Sequence, residues 1–103
     1  MKKIELIYTV GTFMDGRGIQ AETYLTEYDG EEIISSSLLS RNFILVPWSD
    51  TGRVGSYHDS LVSRIRKGLQ KAGVRGVSKR MIRKTVEKCI GQWTSIETIK
   101  EVA

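Results

Sequence analysis

The spacing of apolar residues changes halfway along this chain of 103 residues. In the first half, apolar and polar side chains alternate from Lys3 to Val10 and again from Ile19 to Tyr28. This period of two is typical of half-buried strands. In the second half, apolar residues recur three and four positions apart, which is typical of one face of a helix. The two periods are not interchangeable, so the chain is predicted to form strands first and helices afterwards.

Turn residues divide the first half into strands. Asp15–Gly18 and Asp29–Gly30 supply residues that tolerate a positive φ, and each is predicted to form a hairpin turn. The continuous apolar run Phe43–Val46 is typical of a buried strand. The segment Ser35–Ser40 could either continue the third strand or form a loop. We expect an antiparallel sheet of three to four strands within residues 3–48.

Two to three helices are predicted to follow, over residues 57–72, 78–90 and 95–102. Ser56 and Asp59 have the spacing of a capping box, and Ser78 is placed to cap the second helix. Thr94 and Glu97 repeat the capping-box spacing before the third. Helices that follow a run of strands are typical of the α+β class, with the helices packed on one face of the sheet. We therefore expect one α+β domain, residues 1–103.

The charges are divided unevenly between the two halves. Residues 1–50 carry four basic and eight acidic side chains, whereas residues 51–103 carry twelve basic and four acidic ones. Within residues 64–88, ten basic side chains stand against one acid, Glu87. Clustered like charges repel one another and lower the stability of a fold unless a partner of opposite charge offsets them. The second half is therefore predicted to face nucleic acid or an acidic protein surface.

The first candidate site is a basic helical face. Lys and Arg neutralise phosphates and release their counterions, an attraction that does not depend on base sequence. The predicted binding residues lie on or between the first two helices: Arg64, Lys67, Lys71, Arg75, Lys79, Arg80, Arg83 and Lys84. Two helices joined by residues 73–77 also resemble a helix-turn-helix reader of DNA, although this connection of five residues is longer than the usual three or four.

A second candidate site lies in the glycine-bearing segment before the first helix. Gly52, Arg53, Gly55 and Ser56 could leave backbone N–H groups free for one phosphate of a nucleic-acid backbone. The Lys-Ser/Thr pair of a nucleotide-binding P-loop does not follow these glycines. An ordinary connection between a strand and a helix is the alternative.

Groups suited to catalysis or metal binding are sparse. The chain has one His and one Cys, His58 and Cys89, which are too few for a zinc site. Cys89 is expected to be buried on the inner side of the second helix, and His58 to be solvated or to cap the first. No catalytic residue, metal, cofactor or enzyme activity is predicted. No apolar run reaches the roughly 20 residues that span a bilayer, so a cytoplasmic protein without membrane contact is expected.

The opening strand resembles the first hairpin of ribonuclease H-like folds. The stretch Ile7–Thr12, then a glycine-bearing turn and a second strand, has the same rhythm. That family places a catalytic aspartate where this chain has Val10. The resemblance therefore puts the family's metal-dependent chemistry in doubt here, and no site residue is carried over from it.

The predicted function is that of a small, non-catalytic protein that binds DNA or RNA. The alternative is a protein-binding inhibitor or accessory protein of a bacterial or viral type, which acts through its charged surfaces. Trp48, Tyr57 and Trp93 would anchor such an interface if they were exposed. All three are expected in the core instead, since Trp93 falls in line with the apolar side of the second helix.

Overall fold

A computed structural model describes residues 1–102. In chain order, the elements are β1 (Lys2–Thr12), β2 (Gly16–Asp29), β3 (Glu32–Pro47), a short 3-10 helix (Trp48–Arg53), α1 (Val54–Lys71), α2 (Lys79–Cys89) and β4 (Thr94–Val102). The strands form one antiparallel sheet in the order β3-β2-β1-β4. The predicted α+β class is confirmed, with four strands and two α-helices among residues 1–102.

The core lies between the sheet and the two helices. Alternate side chains of β1, namely Ile4, Leu6 and Tyr8, are buried, whereas their neighbours in the strand are not. These three pack in one cluster with apolar side chains of both helices: Leu61, Val62, Ile65, Leu69, Ile82, Val86 and Cys89. Complete burial of such a side chain contributes about 1.5–3 kcal/mol, so the inner residues of β1 hold both helices to the sheet.

Strand β3 continues through Ser35–Ser40, which is the first of the two alternatives for this segment. The apolar run Phe43–Val46 therefore belongs to the same strand of 16 residues. The register with β2 shifts twice, beside Tyr24 and beside Tyr28, which marks two β-bulges. All residues from Glu32 to Leu38 are exposed. The outer half of the β2–β3 hairpin therefore extends past the part of the sheet that the core covers.

The third predicted helix, residues 95–102, is wrong, because this segment is strand β4. Five of the nine residues of β4 are β-branched, which favours a strand over a helix. The segment also pairs with the free edge of β1, a partner that lies far away in the sequence. Residues three apart in a strand point to opposite faces, so Ile99 is buried in the core while Ile96 is 63% exposed, and the two do not share an inner face as a helix would require.

The helix ends follow the sequence signals in part. The hydroxyl of Ser78 accepts a hydrogen bond of 3.2 Å from the N–H of Met81, as expected of a cap. Gly73 and Gly91 follow the last residues of α1 and α2 and have φ values of 78° and 90°, the conformation that commonly ends a helix. The start of α1 is different: it begins at Val54 instead of residue 57, so the predicted capping box of Ser56 and Asp59 is wrong.

Within residues 1–102, no helix is long and apolar enough to cross a membrane.

Substitution of Val86 by Asp tests the core. The side chain of Val86 is 1% exposed, and an unpaired buried carboxylate costs several kcal/mol even after relaxation. A domain of this size is typically stable by about 5–15 kcal/mol. We expect Val86→Asp to be unfolded or insoluble, whereas Glu87→Asp, at the exposed neighbouring position, keeps a cooperative thermal transition. A melting temperature of Val86→Asp close to that of the wild type would contradict the core assignment.

Candidate nucleic-acid interface

A shallow groove runs between α1 and the C-terminal half of β3. Two adjoining cavities of about 400 Å³ each form it, and Arg64 lines both of them. The cavity nearer the start of α1 is also lined by Asp50, Arg53, Ser56, Tyr57 and Ser60, and by the strand residues Phe43, Ile44 and Leu45. The other cavity is also lined by Lys67, Gly68 and Lys71, and by the strand residues Leu39, Ser40, Arg41 and Asn42. We call this surface the α1–β3 groove.

A close contact between α1 and β3 forms the floor of the α1–β3 groove. A Cβ atom placed on Gly68 would lie 2.6 Å from the Cβ of Ser40, closer than two carbon atoms can approach. Only glycine therefore lets the helix lie this near the strand. Arg64 adds a second tie, because its guanidinium donates a hydrogen bond of 3.2 Å to the carbonyl of Phe43.

The electrostatic character of the α1–β3 groove is basic. Arg53, Arg64, Lys67 and Lys71 are exposed, and none of them forms an ion pair within residues 1–102. Arg41 also lines the groove, but its guanidinium lies 2.8 Å from a carboxylate oxygen of Glu22. The hydrogen bond from Arg41 lowers the pKa of Glu22 and raises the pKa of Arg41. Four cations of the groove thus form no ion pair in the described part of the chain.

The acidic side chain in the groove, Asp50, accepts a hydrogen bond from a neighbouring tyrosine. Asp50 is the one acidic side chain among the described residues that line the two cavities. Its carboxylate accepts a hydrogen bond of 2.6 Å from the hydroxyl of Tyr57, and this bond raises the pKa of Tyr57. The carboxylate therefore holds the tyrosine in the wall of the groove.

The structure places the eight predicted basic residues on two different surfaces. Arg64, Lys67 and Lys71 line the α1–β3 groove. The other five lie outside it, on α2 or on the connection that precedes it: Arg75, Lys79, Arg80, Arg83 and Lys84. Arg83 is 3.3 Å from a carboxylate oxygen of Asp59, so the residue expected to cap α1 instead links the two helices. Arg80 and Lys84 are exposed on α2.

The glycine-bearing segment is not the open loop that we expected. Gly52 and Arg53 belong to the 3-10 helix, and Gly55 and Ser56 to the first turn of α1. Arg53 and Ser56 line the α1–β3 groove beside Arg64, whereas Gly52 and Gly55 do not. The structure thereby joins two sets of residues that the sequence had treated as separate sites. Arg41 was missed, because a single charge on a strand gives no periodic signal.

His58 is buried and not solvated, contrary to expectation. Its Nδ1 lies 2.9 Å from the carbonyl oxygen of Val54, and its Nε2 lies 2.7 Å from the hydroxyl of Tyr8. A carbonyl can only accept, so Nδ1 carries the proton of the neutral ring and Nε2 accepts from the tyrosine. Burial raises the pKa of Tyr8 to about 12, which keeps this donor protonated. The pair fixes the first turn of α1 on β1.

The structure gives the cysteine and the potential metal ligands no arrangement typical of a metal site among the described residues. Cys89 is buried, as predicted, and its burial raises the pKa of the thiol to about 11. Within residues 1–102, no three His, Cys, Asp or Glu side chains converge as metal ligands do.

Two of the three large aromatic side chains expected in the core are at the surface. Trp48 is 41% exposed and Trp93 is 64% exposed, whereas Tyr57 is half-buried. Trp93 lies between α2 and β4, so its apparent alignment with the helix face has no structural meaning. The indole N–H of Trp48 lies 3.2 Å from the carbonyl oxygen of Phe13 and 3.0 Å from that of Met14, which holds the ring beside the β1–β2 turn.

Comparison with known proteins gives no relative: no family model, curated protein or solved structure matches this chain.

The two glycines of α1 form a matched pair for testing the floor of the groove. Gly55→Ala should raise the free energy of unfolding by roughly 0.5–1 kcal/mol, since alanine favours the helix and the new Cβ meets nothing within 4 Å beyond its chain neighbours and the helix backbone. Gly68→Ala has the same helical gain, but its methyl group overlaps Ser40, so this variant should be less stable than Gly55→Ala by about 1–3 kcal/mol. Urea denaturation measures both, and equal effects of the two changes would refute the close contact.

The raised pKa of Tyr8 predicts that the protein becomes less stable in alkaline solution. This pKa rises from 10.0 to about 12 on folding, so between these values the unfolded chain releases the proton while the folded chain retains it. Tyr8 therefore leaves the free energy of unfolding unchanged below pH 10. Between pH 10 and pH 12 it lowers this free energy by about 1.4 kcal/mol for each pH unit. Tyr8→Phe should be less stable than the wild type at pH 7, because Nε2 of His58 loses its donor. Denaturation at several pH values should show a shallower alkaline decline in the variant, and parallel profiles would contradict the assignment.

Proposed function

We propose that this chain is a non-catalytic nucleic-acid-binding protein whose α1–β3 groove holds the phosphate backbone. The observation that carries the proposal is the alignment of Arg53, Arg64, Lys67 and Lys71 along one groove. Their charges have no ionic partner within residues 1–102, and the carboxylate of Asp50 is bound to Tyr57. A row of phosphates would supply the missing counter-charge and release its own counterions.

The α1–β3 groove suits a phosphate backbone better than the outer side of α2 does. On α2, Arg83 is paired with Asp59, and Glu87 lies on the same helix. Arg80 and Lys84 are exposed there and line neither cavity of the groove, whereas a strand of nucleic acid in the groove would have α1 on one side and β3 on the other. We therefore narrow the predicted basic face to the groove residues, and assign the remaining basic residues to long-range attraction of the polyanion.

Aromatic groups in the wall favour a single strand. Phe43 is 49% exposed, and Tyr57 is held in place by Asp50. Bases that are free of a complementary strand can stack on such side chains, and stacking does not depend on base sequence. Under this proposal, single-stranded DNA or RNA binds more tightly than a duplex of the same sequence.

A protein-binding function is the second candidate, because the exposed aromatic groups favour it. Trp48 and Phe13 lie together at one end of the sheet with Met14, which is 99% exposed. Exposed Trp and Met side chains are common anchors of protein interfaces. Absorbance of the purified protein before and after a high-salt wash separates the two candidates. Nucleic acid that is removed by salt supports the first, and a clean sample with one discrete co-purifying protein supports the second.

The salt dependence of binding tests the groove directly. Lys67→Gln with Lys71→Gln removes two groove charges, whereas Arg80→Gln with Lys84→Gln removes the same charge from α2. None of these four side chains forms a hydrogen bond or an ion pair within residues 1–102, so neither variant should lose stability. Each phosphate contact contributes about 0.7–0.9 to the slope of log affinity against log salt. The groove variant should therefore flatten that slope by roughly 1.4–1.8 for a labelled oligonucleotide.

The α2 variant is the matched control and should keep the slope of the wild type, with weaker binding only from the lower net charge. A loss of slope confined to the α2 variant would place the site on α2. Absence of binding by the wild type at low salt would overturn the proposed function.

A further inference from the structure

The outer half of β3 is an uncovered strand at the edge of the sheet. Ile33 and Ile34 are each 61% exposed and Leu38 is 47% exposed, although all three are strongly apolar. Residues 33–40 contain no charged residue, glycine or proline. Edge strands of soluble proteins usually carry lysine, proline, β-bulges or a covering element that prevents pairing with another chain. Among the described residues this part of β3 has no lysine, proline or covering element, and its two bulges lie outside Ser35–Leu38.

The backbone groups that face the free edge can be identified from the ladder. Along an antiparallel strand, the backbone N–H and C=O groups of successive residues point alternately to the neighbouring strand on one side and to that on the other. Asp29 and Glu32 close a two-residue turn and so face each other. Counting from this pair along β2, the backbone N–H and C=O groups of Thr26 and Tyr24 point away from β3. The same groups of their partners, Ser36 and Leu38, therefore point to the free edge.

Two hydrogen bonds agree with this alternation. The N–H of Tyr28 donates to the carbonyl of Met1, so Tyr28 faces away from β3 as the count requires. The same count makes Phe43 face the free edge, and its carbonyl accepts a hydrogen bond from Arg64 of α1. The edge is thus occupied by α1 at Phe43 and open at Ser36. The two bulges lie on either side of Ser35–Leu38 and leave these four residues regular.

We propose that a second copy of this chain pairs with this open edge, antiparallel to it, about a two-fold axis that passes beside Ser36. Ser36 then faces Ser36 of the copy, and the two exchange their N–H and C=O groups. Leu38 of each chain lies beside Ile34 of the other, the residue that the first bulge leaves without a partner on β2. Ser35 lies opposite Ser37 of the copy. The two sheets join into one continuous sheet of eight strands, in which the β3 strands are central.

Self-complementarity identifies the occupant as a second copy. A two-fold axis requires that the segment match its own reverse, and the order Ile34, Ser35, Ser36, Ser37, Leu38 does so. An apolar side chain meets an apolar one, a serine meets a serine, and no charge is brought beside a like charge. A strand of opposite charge has no group to pair with here, because the segment is uncharged.

A single cysteine at the axis tests both the pairing and its register. In Ser36→Cys the two Cα atoms would be about 4.5–5.5 Å apart across the ladder. This separation lies within the range of about 4.4–6.8 Å that a disulfide spans. Ser36→Cys should therefore form a covalent dimer under mild oxidation at low protein concentration. Ser37→Cys should not link to itself, because its copies are offset by two residues, but should link to Ser35→Cys when the two variants are mixed.

Two proteins control this experiment. The wild type has Cys89 alone, which is buried and should not form a covalent dimer. Ile96→Cys places a thiol at a position that is 63% exposed but lies on β4, and it measures linkage by random collision. Equal linkage of Ser36→Cys and Ile96→Cys would overturn the proposed register.

Sedimentation of the unmodified protein supplies an independent measurement. The wild type should show a concentration-dependent dimer. Leu38→Lys should be monomeric, because it puts a charge in place of the apolar side chain that faces Ile34 of the copy, whereas Ile96→Lys should dimerise as the wild type does. Both variants change exposed side chains and should retain the circular dichroism spectrum of the wild type. A wild type that is monomeric up to its solubility limit, or a dimer unaffected by Leu38→Lys, would overturn the proposal.

Discussion

The contact between Gly68 and Ser40 sets the position of α1 on the sheet, and the candidate site depends on it. The missing side chain at Gly68 lets the helix lie directly on β3, while the buried pair of His58 and Tyr8 holds the first turn of the same helix to β1. With both ends of α1 fixed, the basic side chains on its β3 side can only project over the strand. The groove is therefore a product of helix packing, and its walls are as rigid as the core beneath them.

The distribution of charge follows from this arrangement. Acidic side chains are concentrated in the strands, and Glu22 neutralises Arg41 within the sheet. The cations of α1 have no such partner within residues 1–102, because the core fixes α1 where its basic side faces the edge strand and not the acidic part of the sheet. The fold thereby separates charges that a different packing would have paired, which is the arrangement expected of a surface that binds a polyanion.

Most of the fold could be predicted wherever the local pattern allowed one structure. The inner face of β1, the turn at Asp29–Gly30 and the cap at Ser78 are decided by neighbouring residues. The turn predicted at Asp15–Gly18 is misplaced, because β2 already begins at Gly16 and neither Gly16 nor Gly18 has a positive φ. The segment 94–102 was not predictable, because its apolar residues fit a helical spacing as well as a strand, and the decision came from the free edge of β1. The candidate site was predictable only within one helix. The spacing of Lys67 and Lys71 places both on one helix face, but no pattern of neighbouring residues indicates that Arg53 lines the same groove.

The pairing of β4 with β1 has a consequence for how the chain folds. Lys2 lies opposite Val102, so the sheet is completed by residues that are almost the full chain apart. The β1–β2–β3 meander needs only short loops to close, whereas β4 can pair only after α1 and α2 have reversed the chain direction. Contacts of such long range are formed late and slow the folding of small domains. A transient species is therefore expected in which the three-stranded meander is formed and the outer edge of β1 is still without its neighbour.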